Sequence, residues 1–236
     1  MTIQRDEKMS NARWILESAC KQAITLGADV AGYISAETLI GCPSAVADGD
    51  LGLNTEQGSY IILGLYHPSD RPELDQWEPG RGTPGNTILG DIGRELSRWL
   101  DEEYGISART IPYQLYEGGI YLKDAACMAG IGTMGRNNLV IVPGFGPRIR
   151  FRAVWIDLKT TDHGVVQARR HVDCQECREY CIQACPMDAF STGTYSRNRC
   201  MERMNADKQS GTDAIDHCRI CELVCPASDE LRNSEE

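Results

Sequence analysis

The chain has 236 residues, and 34 acidic side chains against 24 Lys and Arg give a formal net charge of −10. An acidic surface repels phosphate backbones, so we predict that nucleic acid is not a partner. No apolar run approaches the roughly 20 residues of a membrane-spanning helix, and the first residues contain no signal sequence. We therefore expect a cytoplasmic protein without a membrane partner.

The first elements in chain order are a helix and two strands. "SNARWILESACKQAITLG" predicts a helix over 10–27, with Ser10 as its N-cap and Gly27 as its end. "ADVAGYIS" predicts the strand that follows. "SYIILGLY" at 59–66 is nearly continuous in apolar residues, which is typical of a strand buried on both faces. Residues 68–85 are rich in proline and glycine and predict a loop.

The same alternation continues to residue 165. An apolar residue at every fourth position predicts an amphipathic helix over 86–103. These residues are Ile88, Ile92, Leu96 and Leu100. "YLKDAACMAG" predicts a short helix, and "ARTIPYQLY", "LVIVP" and "IRFRAVWIDL" predict strands, the last by its alternating pattern. Strands that alternate with helices predict an α/β domain over 1–165.

The following region, 166–228, has little regular pattern and holds eight of the eleven cysteines. A region this small needs disulfides or bound metal to be stable, and clustered cysteines in a cytoplasmic protein indicate metal rather than disulfides. We predict a second domain over 166–228 and a polar tail over 229–236. The other cysteines, Cys20, Cys42 and Cys127, are expected to be small buried or half-buried side chains.

The cysteines form a first run, "CQECREYCIQACP" at 174–186, and a second run, "CRICELVCP" at 218–226, with Cys200 between them. Eight thiolates make two Cys₄ sets, and Cys₄ is the ligand set of a [4Fe–4S] cluster. In bacterial ferredoxins the fourth cysteine of a run binds the other cluster. This exchange gives a first set of Cys174, Cys177, Cys181 and Cys225. It gives a second set of Cys185, Cys200, Cys218 and Cys221.

These two sets predict a ferredoxin-like module with two [4Fe–4S] clusters that passes single electrons. One departure from the ferredoxin pattern is the spacing between Cys177 and Cys181, which has three intervening residues instead of two. The alternative is a pair of structural Cys₄ zinc sites.

The stretch "AGIGTMGRNN" at 129–138 contains the G-x-G-x-x-G spacing of a dinucleotide-binding loop, at Gly130, Gly132 and Gly135. A dinucleotide fold places a strand before this loop and a helix after it. Here a helical pattern precedes the glycines and a strand pattern follows them. This order disfavours a dinucleotide without excluding it, and two other interpretations stay open: close backbone approach to another large cofactor, or a tight helix-to-strand turn without a ligand.

The stretch "AGIGTMGRNNLVIVPGFGPRIRFRAVWIDL", followed by the two cysteine runs, resembles the corrinoid-dependent reductive dehalogenases and epoxyqueuosine reductases. The resemblance implies a cobalamin-binding reductase-like α/β domain, with base-off cobalamin beside the glycine loop. It implies that the clusters pass electrons to the cobalt in an oxygen-sensitive oxidoreductase. The implied cobalamin contacts are Gly130, Gly132, Gly135, Arg136, Asn137, Asn138 and Arg148.

The resemblance also implies a proton donor, whose position falls at Tyr116 in "QLYEGG", with Glu117 as the second candidate. The alternative for Tyr116 is a packed, hydrogen-bonded aromatic. We expect a short form without the C-terminal repeats that help epoxyqueuosine reductases hold tRNA.

The expected partners are a ferredoxin- or flavodoxin-type electron donor and a small-molecule substrate. Two alternatives remain for the function. The first is a non-catalytic iron–sulfur electron carrier or an activator of another protein's corrinoid. The second is a flavin- or nicotinamide-linked iron–sulfur reductase.

Overall fold

The structure, a computed structural model, describes residues 2–49, 57–166, 174, 177–211 and 214–228, with only the backbone described for 2–10. The predicted tail 229–236 lies outside the described residues. No described helix has the length and apolar character needed to cross a bilayer.

The helices and strands follow one another in a mixed order. The helices are α1 Thr2–Thr25, α2 Ala36–Leu39, α3 Pro43–Asp48, α4 Pro84–Tyr104, α5 Leu122–Met128, α6 Tyr180–Gln183, α7 Arg197–Ser210 and α8 Ile220–Leu223. The strands are β1 Val30–Ser35, β2 Ser59–Tyr66, β3 Ala108–Thr110, β4 Thr133–Met134, β5 Val140–Ile141, β6 Ile149–Ile156 and β7 Gly164–Val166. Single 3₁₀ turns lie at Pro72–Asp75, Leu115–Glu117 and Pro226–Ser228.

The described residues group into two compact units that are not continuous in sequence. The first unit takes them from Met1–Leu65, Ile88–Ile131 and Phe151–Ala168. The second unit takes them from Tyr66–Thr87, Gly132–Arg150 and Arg169–Glu236. The proline-rich loop and the glycine-loop hairpin therefore belong with the described part of the cysteine region. The linear domain boundaries at 165 and 228 stay a prediction.

The first unit is built on a five-stranded sheet in the order β3-β6-β2-β1-β7. Strand β1 runs antiparallel to β2 and to β7, and β3 runs antiparallel to β6. Strand β2 is buried along nearly its whole length, which confirms the prediction from its continuous apolar run. The coarse α/β class is also confirmed, in the form of a mixed sheet-and-helix fold.

The core of the first unit is apolar. Leu16 of α1, Leu63 of β2 and Leu96 of α4 are fully buried in one cluster. Burying a leucine side chain contributes about 1.5–3 kcal/mol to the free energy of unfolding. This packing therefore stabilises the first unit. Gly27, at φ 109°, follows the end of α1 and confirms the predicted stop.

Three local predictions are wrong. Helix α1 begins at Thr2, so Ser10 lies inside it and is not its N-cap. In α4, Leu89 is buried and Ile88 is exposed, because steps of four residues drift around a helix of 3.6 residues per turn. In "ARTIPYQLY" the strand stops at Thr110, two residues before Pro112, which has no N–H to donate.

Candidate functional site

The second half of each cysteine run, as far as the structure describes it, has the same kind of local structure in the second unit. Each contains a short helix, α6 in the first run and α8 in the second, and these helices contact each other. The Cys185 N–H donates to the Ile182 carbonyl, and the Cys225 N–H donates to the Glu222 carbonyl, both at 3.3 Å. The Cys-x3-Cys-Pro sequence that ends both runs, at 181–186 and at 221–226, is therefore also a structural repeat.

The first set of cysteines lines one small void that is partly open to solvent. Its cysteine lining is Cys174, Cys177, Cys181 and Cys225. Ile141, Cys225 and Ala227 form a small apolar cluster, and Cys174 packs against it. The fold thus brings Cys225 of the second run beside three cysteines of the first, and the extra residue between Cys177 and Cys181 does not prevent this.

Burial dominates the acid–base properties of the first set. It raises the pKa of the Cys225 thiol to about 11, and the nearby Cys174, Cys181 and Cys177 raise it as well. Burial also raises the pKa of Cys181, with further contributions from Cys177 and Cys174. Because metals bind thiolates, occupation of this void would release protons from these groups.

Three cysteines of the second set also lie near one another. Burial raises the pKa of Cys221 to about 12, and Cys200 and Cys218 add to the effect. The pKa of the Tyr195 hydroxyl is raised by burial and by its hydrogen bond with Cys200. The fourth member, Cys185, accepts a hydrogen bond at Sγ from the Ala189 N–H at 3.4 Å.

In the part of the chain that the structure describes, no group of three or more His, Cys, Asp or Glu side chains is placed to hold a single metal ion. The ligand roles of both cysteine sets stay predictions.

The glycine loop lies between a helix and a hairpin. Helix α5 ends at Met128, and β4 and β5 pair antiparallel just beyond, which confirms the predicted helix-before-strand order. A Cβ on Gly132 would lie 2.4 Å from the Ile141 carbonyl oxygen, and one on Gly135 would lie 2.8 Å from the Ile141 side chain. The hairpin's own packing therefore requires both glycines, as a tight turn would. Their contact with a corrinoid, like that of Gly130 at φ 83°, stays a prediction.

Two polar residues predicted to contact the corrinoid are buried, and both form hydrogen bonds within the protein. Asn137 Nδ2 donates to the Cys221 carbonyl at 3.2 Å, and its Oδ1 accepts from the Leu139 N–H at 3.2 Å. Arg148 Nη2 donates to the Leu223 carbonyl at 3.4 Å. Both side chains therefore hold the backbone of the second cysteine run.

The two remaining polar candidates lie elsewhere on the same hairpin. Arg136 forms an ion pair with Glu179, and both line the void of the first cysteine set. Asn138 has a left-handed backbone, at φ 58°. Their roles toward a corrinoid also stay predictions.

The candidate proton donors lie in the first unit, on the 3₁₀ turn Leu115–Glu117. Tyr116 is 82% exposed, and Glu117 is also exposed. The alternative of a packed Tyr116 is therefore wrong. Its role as a donor stays a prediction.

The structure adds a group that no sequence motif indicates: a buried charge cluster in the second unit. Its members are His67, Asp75, Arg150, Arg219 and Glu222. The only sequence signal is the position of Arg219 and Glu222 within the second cysteine run. Their partners lie about 70 to 150 residues away in the chain, so spacing could not reveal them.

No protein-family model matches the chain. The tetrachloroethene reductive dehalogenase of Dehalobacter restrictus is 38% identical over 123 residues, which are 50% of this chain and 22% of that relative. The enzyme of the same name from Desulfitobacterium hafniense is 29% identical over the same length and share. The matching region is thus about a fifth of the length of these curated relatives.

Solved structures share the fold over most of the chain. An epoxyqueuosine reductase bound to a tRNA-Tyr stem loop aligns with a TM-score of 0.65 at 17% identity, covering 92% of this chain and 66% of that one. A catabolic reductive dehalogenase in complex with 3-bromo-4-hydroxybenzoic acid aligns with a TM-score of 0.61 at 20% identity, covering 91% and 32%. At these identities the likeness concerns the fold.

The exclusion of nucleic acid as a partner is wrong. An epoxyqueuosine reductase of this fold has been solved with a tRNA stem loop. The reasoning failed because net charge is a sum over the whole surface, whereas binding depends on the local field at one site. A charge of −10 therefore does not decide the substrate class.

Proposed function

We propose that this chain, which belongs to the superfamily of reductive dehalogenases and epoxyqueuosine reductases, is an iron–sulfur oxidoreductase. The observation that carries the proposal is the grouping of four cysteines from two separate runs around one void. Their thiol side chains fit a [4Fe–4S] cluster, which takes four cysteine thiolates. The second set would hold a second cluster, so that single electrons pass between two centres.

The protein around the first set supports this assignment. Cys174 and Cys225 pack in an apolar cluster, and low exposure to water is one of the factors that set a cluster's reduction potential. The Arg136–Glu179 ion pair adds a charge-balanced wall to the same void. The residues here would therefore hold a redox centre in a partly apolar site.

A corrinoid is the second cofactor that we propose, and its support is the shared fold. A solved reductive dehalogenase that has this fold, with a TM-score of 0.57 to this chain, is an enzyme of B12-dependent dehalogenation. Three of the four polar side chains predicted as contacts have partners within the protein: Asn137 and Arg148 form hydrogen bonds, and Arg136 forms an ion pair. We therefore assign these residues no step of the reaction.

The clusters can be tested directly. Chain purified without oxygen should contain about eight iron and eight sulfide per molecule, with the brown colour of [4Fe–4S] clusters. Cys181→Ala should lower the iron content. Cys127→Ala, its matched control in the first unit, should leave it unchanged. Colourless protein with two zinc ions would replace this proposal with structural zinc sites.

Cofactor and substrate need a second experiment. Iron-loaded protein is mixed with cobalamin or with FMN and passed through gel filtration. Retained cobalamin with base-off absorption supports the corrinoid proposal, and retained FMN alone contradicts it. Loaded protein is then assayed with a halogenated phenol and with an epoxyqueuosine-containing tRNA stem loop. Turnover of neither, together with electron exchange with ferredoxin, favours the carrier function.

Tyr116 is the proton donor that we propose from the family resemblance, and its phenol is exposed on the turn Leu115–Glu117. Tyr116→Phe should retain iron and cofactor and lose turnover. Tyr113→Phe is the matched control, since Tyr113 is also exposed and lies in the same segment. Equal turnover in both variants would remove Tyr116 from the mechanism.

A further inference from the structure

Asp75 is a buried carboxylate at the centre of a charge cluster in the second unit. Its Oδ1 accepts from Arg150 Nε at 2.9 Å, and its Oδ2 accepts from Arg219 Nη1 at 2.6 Å. His67 Nδ1 lies 2.8 Å from Oδ1. Gly85 leaves space for the His67 ring, since a Cβ at this position would lie 2.2 Å from Nε2. Asp75 therefore has two hydrogen-bonded guanidinium partners and a buried imidazole beside it.

The cluster reaches the second cysteine run through two side chains. Arg219 lies between Cys218 and Cys221, and Glu222 directly follows Cys221. Glu222 Oε2 accepts from Arg150 Nη2 at 2.7 Å, and the Glu222 side chain is only 4% exposed. Arg150 thus joins Asp75 to Glu222, and Arg219 joins Asp75 to the loop between two cysteines.

The backbone of this run is also held by side chains that precede it in the sequence. Asn137 donates to the Cys221 carbonyl, and Arg148 donates to the Leu223 carbonyl. Segments that contain no cysteine therefore bind both the side chains and the backbone of the run. Two of the residues that they contact, Glu222 and Leu223, belong to the three-residue spacer between Cys221 and Cys225.

Buried ion pairs of this kind contribute little net stability, because desolvation offsets most of their attraction. Removing one partner is costly, since it leaves an uncompensated buried charge. A network of buried charges can therefore fix one arrangement of the chain without adding much stability.

We propose that Asp75 is a positioning residue for the second cysteine run. Through Arg219 and Arg150 it holds Cys218, Cys221 and Cys225 in the shape that binds iron–sulfur clusters, and it balances the positive charge beside them. This inference rests on the proposed function, since it needs clusters to be present.

The test compares Asp75→Asn with Glu73→Gln in the full chain, reconstituted without oxygen. Both variants remove one carboxylate charge, but Glu73 is exposed and pairs with Arg71 outside the cluster. In Asp75→Asn, an iron chelator should remove cluster iron about tenfold faster, which corresponds to an activation free energy of iron release lower by about 1.4 kcal/mol. One cluster potential should shift to more positive values, because a lost negative charge favours the reduced state. Glu73→Gln should match the native protein in both measurements.

A purely structural role would lower the thermal midpoint of unfolding and leave the potential of the bound clusters unchanged. Arg219→Lys provides a second variant that keeps the charge and removes the guanidinium fork spanning Asp75 and Asp216. It should speed iron release in the same direction. Equal iron release and equal potentials in Asp75→Asn and Glu73→Gln would overturn the inference. Native protein that binds no iron would overturn the proposed function instead.

Discussion

The two units of this chain reach order by different means. The first unit encloses an apolar core in which Leu16, Leu63 and Leu96 are fully buried between helices and sheet. The second unit buries Asp75, Arg148 and Glu222, together with partly or fully buried thiols. Its helices α6 and α8 have four residues each, far too few to be stable alone in water.

The stability of each unit therefore has a different source. Apolar burial stabilises the first unit without any ligand. Short helices and buried charges cannot do the same for the second unit, because both are costly unless something fixes them in place. We therefore expect cluster assembly to order the second unit and to leave the first unit little changed.

Removing iron should have the largest effect, and it should affect the two units differently. Chelation in air should abolish the hydrogen-exchange protection of α6 and α8, while β1, β2 and α4 keep theirs. Structural metal sites can supply on the order of 10 kcal/mol of folding free energy, which exceeds the whole stability of many domains. Exchange followed by mass spectrometry measures both units in one sample. Full protection of α6 and α8 without iron would show that the second unit does not need its clusters to be ordered.

A cavity in the core should instead destabilise the first unit. Leu96→Ala should lower the free energy of unfolding of that unit by about 2–5 kcal/mol, because Leu96 is fully buried. Denaturant titration measures the loss, and the iron content should stay that of the native chain. Val46→Ala, at a side chain that is 67% exposed, is the control and should change neither value. Loss of iron in Leu96→Ala would show that the first unit supports cluster binding.

The glycine loop offers an intermediate effect. Gly132→Ala places a Cβ 2.4 Å from the Ile141 carbonyl oxygen, so the hairpin must shift. Overpacking of this kind costs about 1–3 kcal/mol. Gly41→Ala is the matched control, because no atom lies within 4 Å of its added Cβ. The midpoint of thermal unfolding distinguishes the two variants. Equal midpoints would mean that hairpin packing does not require Gly132.

A surface hydrogen bond of the first unit should matter least. The Tyr121 hydroxyl donates to Asp48 Oδ2 at 2.8 Å. Burial and this carboxylate raise the pKa of Tyr121 to about 12 from 10.0. The neutral phenol is thus favoured in the folded state, so its contribution to stability is complete below pH 10 and is lost as the pH rises toward 12.

Tyr121→Phe should remove that alkaline dependence at a cost of about 1 kcal/mol or less at neutral pH. A difference titration of tyrosine absorbance between the native chain and the Tyr121→Phe variant measures the ionisation. A difference that is complete near pH 10 would contradict the raised pKa. The iron content should be the same in both chains, because the change lies in the first unit.

Much of the first unit could be predicted from local pattern. Strand β2 has a continuous apolar run and helix α4 has a helical period, and both were found where these patterns predict them. The errors at Ser10 and Ile88 have a local cause: a polar helix extension hides the true start, and a four-residue step is not the true helical period.

The candidate site was predictable only in part. Ferredoxin spacing groups Cys225 with three cysteines of the first run, and the structure places them around one void, although their ligand roles stay predictions. The family resemblance assigned Asn137 and Arg148 to a cofactor, whereas the fold turns both toward the second cysteine run. Residue type says which bonds a side chain can make, but not which partner the fold will bring to it.

Local sequence pattern was enough to establish the class of the chain: an apolar α/β region, two cysteine runs and a glycine loop in helix-before-strand order. Periodicity and spacing act over a few residues, so these features can be read without knowing the fold. The tertiary structure was needed to show that the Pro72–Asp75 turn and the start of β6 meet the second cysteine run. That meeting depends on contacts about 70 to 150 residues apart in the chain, which no local pattern encodes.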